Sequence, residues 1–235
     1  MEFIQKLFKS LLKKLSWILF GTLVVSILLV GSLNIMNPPV WMWKLQRQLA
    51  PPENYPAKIH HTWVSWANIS NNMKLAVIAG EDQLFPQHSG FDLDSIAKAL
   101  KSNQQGKRIR GASTISQQTA KNLFLWPSKS FLRKGIEAWF TALMEMFLSK
   151  RRILEIYLNI IELGPGIFGV EAASKQYYAK SSKHLNRQEA ARLAAVLPNP
   201  YQLHVLKPSK YVRKKTLWIE KQMRQLGLST LEQIK

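Results

Sequence analysis

The chain has no cysteine, so neither a disulfide nor a thiolate metal site is open to it. That absence does not name a compartment, because a domain outside the cytoplasm can be stable without disulfides. Acidic side chains are scarce: 14 Asp and Glu stand against 33 Lys and Arg, a formal net charge of +19. Such a surface suits phosphate, whether on nucleic acid, lipid headgroups or a pyrophosphate. The five histidines show neither H-E-x-x-H nor H-x-x-x-H spacing, which removes the commonest built-in zinc site. Val and Ile seldom alternate with polar residues, so little sheet is expected. Internal repeats and low-complexity tracts are also missing.

One absence is local and decides the organisation. No charged residue occurs from Leu15 to Trp43, and residues 15–35 are mostly Leu, Val, Ile, Phe and Trp. A helix of about 20 such residues crosses the ~30 Å hydrocarbon layer. Lys6, Lys9, Lys13 and Lys14 precede it and keep the N-terminus cytoplasmic by the positive-inside rule. A cleaved signal peptide is the alternative, but the apolar stretch exceeds the usual ~7–15 residue core and lacks an A-x-A site. The division expected is a cytoplasmic N-terminus (1–14), a transmembrane helix (15–36), a linker (37–55) and one domain (56–235). The linker is punctuated by Pro38, Pro39, Pro51 and Pro52, with Pro56 just beyond it. A nucleic-acid partner, the usual first guess for so basic a chain, is set aside because the span puts this charge beside lipid.

After the linker the pattern is helical nearly throughout. Ser70 or Asn71 is placed to cap a helix through MKLAVIAGED. Asp92 or Asp94 starts a second, SIAKALKSNQQ, and Ser113 or Thr114 a third. Residues 130–148 and 150–162 read as two more amphipathic helices, and three further helical stretches complete a mainly α domain.

Candidate site residues fall in three blocks. Glu81 and Asp82 end the apolar run AVIAG and precede a tight loop with Phe85, His88 and Gly90. Adjacent carboxylates raise each other's pKa, yet a solvated Glu81 with Asp82 paired to an arginine is the plainer account of that dipeptide alone. His88 reads as a loop-fixing hydrogen-bonder. GASTISQQTAKN packs Ser113, Thr114, Ser116, Gln117, Gln118 and Thr119 ahead of Lys121 and Asn122, more side-chain hydrogen-bonders than a helix entry needs. Lys121, Arg133 and Lys134, with Arg110 nearby, are suited to a pyrophosphate clamp. For Arg133 and Lys134 a merely basic membrane-facing surface serves equally. In the third block Arg151, Glu155, Asn159 and Glu162 share one face of an otherwise apolar helix. A salt-bridged surface row is the ordinary explanation, but a buried charged row costs free energy unless paired or used. Trp126, Phe131, Trp139 and Phe140 interleave with the cations as in a segment entering a headgroup layer, and core packing explains some of these aromatics equally well.

The blocks E-D-x-x-F-x-x-H-x-G (Glu81 to Gly90), G-x-S-T-I-S-Q-Q-x-x-K-N (Gly111 to Asn122), R-K-x-x-E (Arg133 to Glu137) and R-R-I-L-E-x-Y-L-N (Arg151 to Asn159) occur in one order, followed by EAASKQYYAK and EAARLAAVLPNP. Together they resemble the peptidoglycan glycosyltransferases, the glycan-polymerising module of class A penicillin-binding proteins. KNLFLWPSKSFLRKGIEAWF and the short C-terminus are more similar to the stand-alone, monofunctional branch of Gram-negative bacteria. Ser95 and Lys98 fit S-x-x-K, but no K-T-G exists to support a penicillin-binding domain. Ser116 and Arg152 depart from the threonine and lysine common in the family, preserving hydroxyl and charge.

The resemblance implies a lysozyme-like helical fold with a small membrane-contacting lobe. It implies elongation of glycan strands from lipid II by inverting transfer with release of polyprenyl pyrophosphate. Glu81 would be the general base and Glu155 would assist departure of the pyrophosphate. Asp82, Ser113, Gln117, Gln118, Lys121, Asn122, Arg133, Arg151 and Asn159 would bind substrate. No cofactor is required by the resemblance, though a divalent cation, magnesium or manganese, could sit at the pyrophosphate. Cell-division or elongation proteins would be the partners, with the domain periplasmic on the cell inner membrane. A membrane-anchored muramidase is the competing activity, since paired carboxylates also suit glycoside hydrolysis, but it needs no phosphate clamp. A scaffold binding anionic lipid or cell-wall polymer would explain the charge and the anchor and leave both glutamate blocks unused.

Overall fold

The computed structural model describes residues 1–94, 97, 113–128 and 130–234. Arg110, Gly111, Ser95, Lys98 and most of the helix expected through SIAKALKSNQQ lie outside the described residues. The chain is mainly α, as its periodicity required. The apolar anchor forms α1 (Glu2–Ser32), the one described helix long and apolar enough to cross a membrane. It starts well before Leu15 because Phe3, Leu7, Leu11 and their neighbours are helix formers interleaved with the lysines. It stops at Ser32, before Pro38 and Pro39.

A second helix, α2 (Met42–Leu49), lies in the stretch expected to be linker. Trp41 at its start is buried, with its ring 4.8 Å from that of His61 and 5.8 Å from that of Phe168. The domain's helices are α3 (Asn71–Glu81), α4 (Ile115–Phe124), α5 (Phe131–Phe147), α6 (Lys150–Ile160), α7 (Val170–Tyr178), α8 (Arg187–Val196), α9 (Lys210–Leu226) and α10 (Ser229–Glu232). Polar caps set their starts: Ser70 accepts from Met73 N–H, Thr114 with Gln117 and Asn186 with Glu189 form capping boxes, and Ser130, Ser149 and Ser209 cap α5, α6 and α9.

α3 is the central helix, buried from Met73 to Ala79. It packs on α8, whose Ala190, Ala191, Ala194 and Ala195 are all buried, and on α9. α4 lies between α5 and α6. The little sheet present has strand order β1 (His60–His61), β3 (Ile167–Phe168), β2 (Glu162–Gly164), with β1 parallel and β2 antiparallel to β3. α6 therefore ends at Ile160, and Glu162 stands in β2 rather than on the helical face expected for it. Gly169 makes this turn possible: its φ is +79°, and an added Cβ would sit 2.6 Å from the carbonyl oxygen of Asn159.

The anchor is fastened to the domain. Trp139 Nε1 donates to Ser26 Oγ (3.1 Å) and Asn34 Nδ2 to the Phe147 carbonyl (2.8 Å). Arg152 donates to the carbonyls of Leu33 (2.7 Å) and Met36 (2.8 Å), which are acceptors left over just past the helix end.

Candidate active site

Glu81 is the last residue of α3, where the apolar helix delivers it to the edge of the core. Its Oε2 accepts from Gln118 Nε2 (2.9 Å), and Gln118 Oε1 accepts from the hydroxyl of buried Tyr157 (3.0 Å). The order of donors is self-consistent: phenol to amide oxygen, amide nitrogen to carboxylate. Burial pushes the Glu81 pKa above the usual carboxylate range; Gln118, Lys215 and Lys121 act against the rise and Asp82 adds to it. Burial, with Glu81 and Asp82 nearby, holds the Tyr157 hydroxyl well above its ordinary value, so it stays a donor.

One turn after Gln118 on α4 comes Lys121, its Nζ 5.8 Å from the Trp43 ring of α2. Burial lowers the Lys121 pKa; Glu137 and Glu81 favour its charge, and Arg133 and Lys134 oppose it. Those neighbours sit on the first turns of α5. Arg133 Nη1 meets Glu137 Oε2 at 2.8 Å, and Lys134 Nζ pairs with Glu137 Oε1. Arg133 Nε also donates to the Ser128 carbonyl (2.5 Å). Three cations thus surround one buried carboxylate, leaving an excess of positive charge beside Glu81. A cavity of about 280 Å³ adjoins Gln118 and Lys121, lined also by Asn122, Tyr157, Trp43 and Tyr201; Glu81, Arg133 and Lys134 do not line it.

Glu155 is not brought into this group. Its Oε1 accepts from Trp66 N–H (3.2 Å) and its Oε2 faces Arg152 Nη1 (3.3 Å). Two residues on, Tyr157 points to Gln118, so Glu155 occupies the other side of α6. Arg151 is exposed, its guanidinium 5.6 Å from the Trp66 ring. Lys74 shares that ring at 4.3 Å, and burial, with Arg151 nearby, lowers its pKa to about 8. Asn159 is fully buried and clamps Val64, accepting from its N–H (2.8 Å) and donating to its carbonyl (2.9 Å).

Asp82 is a framework residue in this geometry. Both its oxygens lie 3.0 Å from His88 Nε2, and Oδ2 accepts from Ile115 N–H at the start of α4 (2.9 Å). Gly90 N–H donates to His88 Nδ1 (3.1 Å), so Nε2 is the ring nitrogen that donates to Asp82. Gln117 spends its side-chain carbonyl on the capping box, and Ser113 is exposed one residue before the cap. Ser116 is fully buried and donates to Glu145.

A family model described as Transglycosylase matches residues 50–224. A biosynthetic peptidoglycan transglycosylase of Shewanella oneidensis is 55% identical over 220 residues, 94% of this chain and 94% of that protein. One of the same name from Aeromonas hydrophila is 53% identical over 226 residues, 96% of each chain. This chain belongs to the transglycosylase family. Within this transglycosylase, Glu137 joins the cation cluster through Arg133 and Lys134, a role the candidate residues did not include. Its signal was present in R-K-x-x-E, where spacing of three and four residues from Lys134 and Arg133 predicts one shared helical face. Glu162 was also undervalued. It is buried and accepts from Tyr55 (2.8 Å), Tyr201 (2.9 Å) and Trp43 (3.1 Å), binding α2 to the rim of the cavity.

Proposed function

We propose that the protein is a peptidoglycan polymerase that extends glycan strands from lipid II. The observation that carries this is the unbroken line from Tyr157 through Gln118 to Glu81, flanked by Lys121 and its cation cluster. Glu81 takes the proton of the acceptor 4-hydroxyl as that oxygen bonds to C1 of the donor sugar. The C1–O bond to the pyrophosphate breaks on the opposite face, and the configuration inverts. The charge developing on the departing phosphate meets Lys121, Arg133 and Lys134, preorganised by Glu137. Glu155, expected to assist this departure, accepts from Trp66 N–H and faces Arg152.

A divalent cation at the pyrophosphate would take most of its ligands from the phosphate oxygens. Among the described residues no three His, Cys, Asp or Glu side chains come together, and both Glu137 oxygens are committed to cations. No step is routed through a metal here. The lysines ahead of the span support a cytoplasmic N-terminus and a periplasmic domain on the inner membrane. The test is incubation of the purified full chain with labelled lipid II and sizing of the products. Long strands that vanish in Glu81→Gln support the proposal; cleavage of preformed peptidoglycan without polymer would replace it with the muramidase reading.

A further inference from the structure

We propose that the strip of α9 bearing Tyr211 and Trp218 is a saccharide platform that holds the acceptor sugars beside Glu81. This rests on the polymerase reading and adds to it a surface outside the motif blocks. α9 meets α3 where that helix delivers the base. A Cβ added to Gly80 would stand 3.2 Å from Ile219 Cδ1, and Gln83 Nε2 donates to Gln222 Oε1 (3.2 Å). Tyr211, Lys215, Trp218 and Gln222 recur at i, i+4, i+7 and i+11, forming one strip beside the buried row of Val212, Thr216, Ile219 and Met223.

Two members of the strip fix its direction. Gln222 bonds Gln83, two residues past Glu81, and the charge of Lys215 acts on Glu81 itself. The other two are aromatic rings left open: Trp218 is 42% exposed and Tyr211 53%. Lys215 Nζ stands 4.1 Å from the Trp218 ring centroid, an arrangement that steadies the indole. Seven residues of helix separate the rings by about 10 Å, on the order of one disaccharide. Such rings take the apolar faces of sugars, while the neighbouring amide and ammonium groups suit hydroxyls and carboxylates.

The side of the reaction follows from the two helices that meet the base. α4, which holds Glu81 through Gln118, carries Lys121 and leads to the phosphate cluster, which is the donor's leaving group. α9 meets the end of α3 at Gly80 and Gln83 instead, which leaves that side for the acceptor. The basic residues Lys210, Lys214, Lys221 and Arg224 share a different strip with Leu217, turned about a quarter of the helix away. The aromatic strip is the one turned to the base, which favours sugar over an anionic membrane as its occupant.

The experiment titrates a lipid-free tetrasaccharide of alternating N-acetylglucosamine and peptide-bearing N-acetylmuramic acid into the full chain in detergent. Trp218→Ala should weaken binding about tenfold, equivalent to about 1.4 kcal/mol, and raise KM for lipid II with little change in kcat. Trp218→Phe should restore most of both. Equal tetrasaccharide binding by wild type and Trp218→Ala, or none by wild type, overturns the platform. So does loss of binding to anionic phospholipid vesicles with tetrasaccharide binding intact, which makes the strip a membrane contact. Trp218-dependent tetrasaccharide binding by a wild type that never polymerises lipid II would leave the platform standing and remove the polymerase.

Discussion

A general base is useful only while ionised, so the surroundings of Glu81 set the pH range of the enzyme. Burial raises its pKa and thereby moves the acid limb of the rate profile above that of an ordinary glutamate at about 4.3. Gln118 opposes that rise by donating to the charged form. Gln118→Ala removes the donor, which raises the pKa further, so the acid limb of kcat should shift to higher pH. A limb that stays in place or moves down would show that this hydrogen bond does not govern the base. Glu81→Gln should lower polymerisation by roughly 10²–10⁴-fold at every pH. Lys121→Ala acts on the other reacting bond. It should cost roughly 10²-fold or more in kcat, as removal of a preorganised charge does, while thermal unfolding barely moves. A Lys121 variant that unfolds early would instead make the lysine part of the scaffold.

At the scale of elements, the division between chemistry and scaffold can be tested on α6, where Asn159 clamps Val64 from a fully buried position. Asn159→Ala leaves the part-buried N–H and carbonyl of Val64 without this partner, a loss of about 1–3 kcal/mol. That should lower the Tm clearly, and activity measured well below it should survive. A stable but inactive variant would return Asn159 to substrate binding. The same helix shows what the sequence could and could not disclose. Its apolar periodicity is a local property and was legible. Which side of it faces the reaction was not, because that depends on where α4 packs. Glu155 and Glu137 look alike in sequence, each a carboxylate one helical turn from basic residues. Only the pairing of α4 with α5 brings Glu137 to Lys121, and only the chain passing Trp66 covers Glu155. α2 was hidden for another reason: Pro38, Pro39, Pro51 and Pro52 bracket it, and eight residues give too short a period to outweigh them. Strands of two or three residues carry no alternation at all.

For the molecule as a whole, the fastening of α1 decides where the active site stands relative to the bilayer. Ser26 meets Trp139, and eight residues later Asn34 meets Phe147, eight residues after Trp139. The two helices therefore run in the same sense and advance together by about 12 Å. Ser26 lies inside the uncharged span, so a bilayer crossed by α1 would meet α5 as well. The side chains it presents outward agree: Phe131 is 99% exposed, and Leu132 and Met146 are exposed as well, a poor arrangement in water and a good one in lipid. Arg133, Lys134 and Glu137 begin this same helix, so the phosphate cluster belongs to the part of the domain that adjoins α1. The absence of cysteine makes this measurable, because a single engineered thiol can be labelled without background. With the full chain in bilayer nanodiscs, an environment-sensitive fluorophore on Leu132→Cys should emit as from an apolar medium and be quenched by lipids brominated on their acyl chains. The same fluorophore on Glu53→Cys, near the turn after α2, should report water and escape quenching. If the label on Leu132→Cys reports water instead, α5 stands clear of the bilayer and the pyrophosphate must be lifted out to reach Arg133. Processive synthesis would then require a mobile anchor, where the bonds from Arg152 and Trp139 to α1 describe a fixed one.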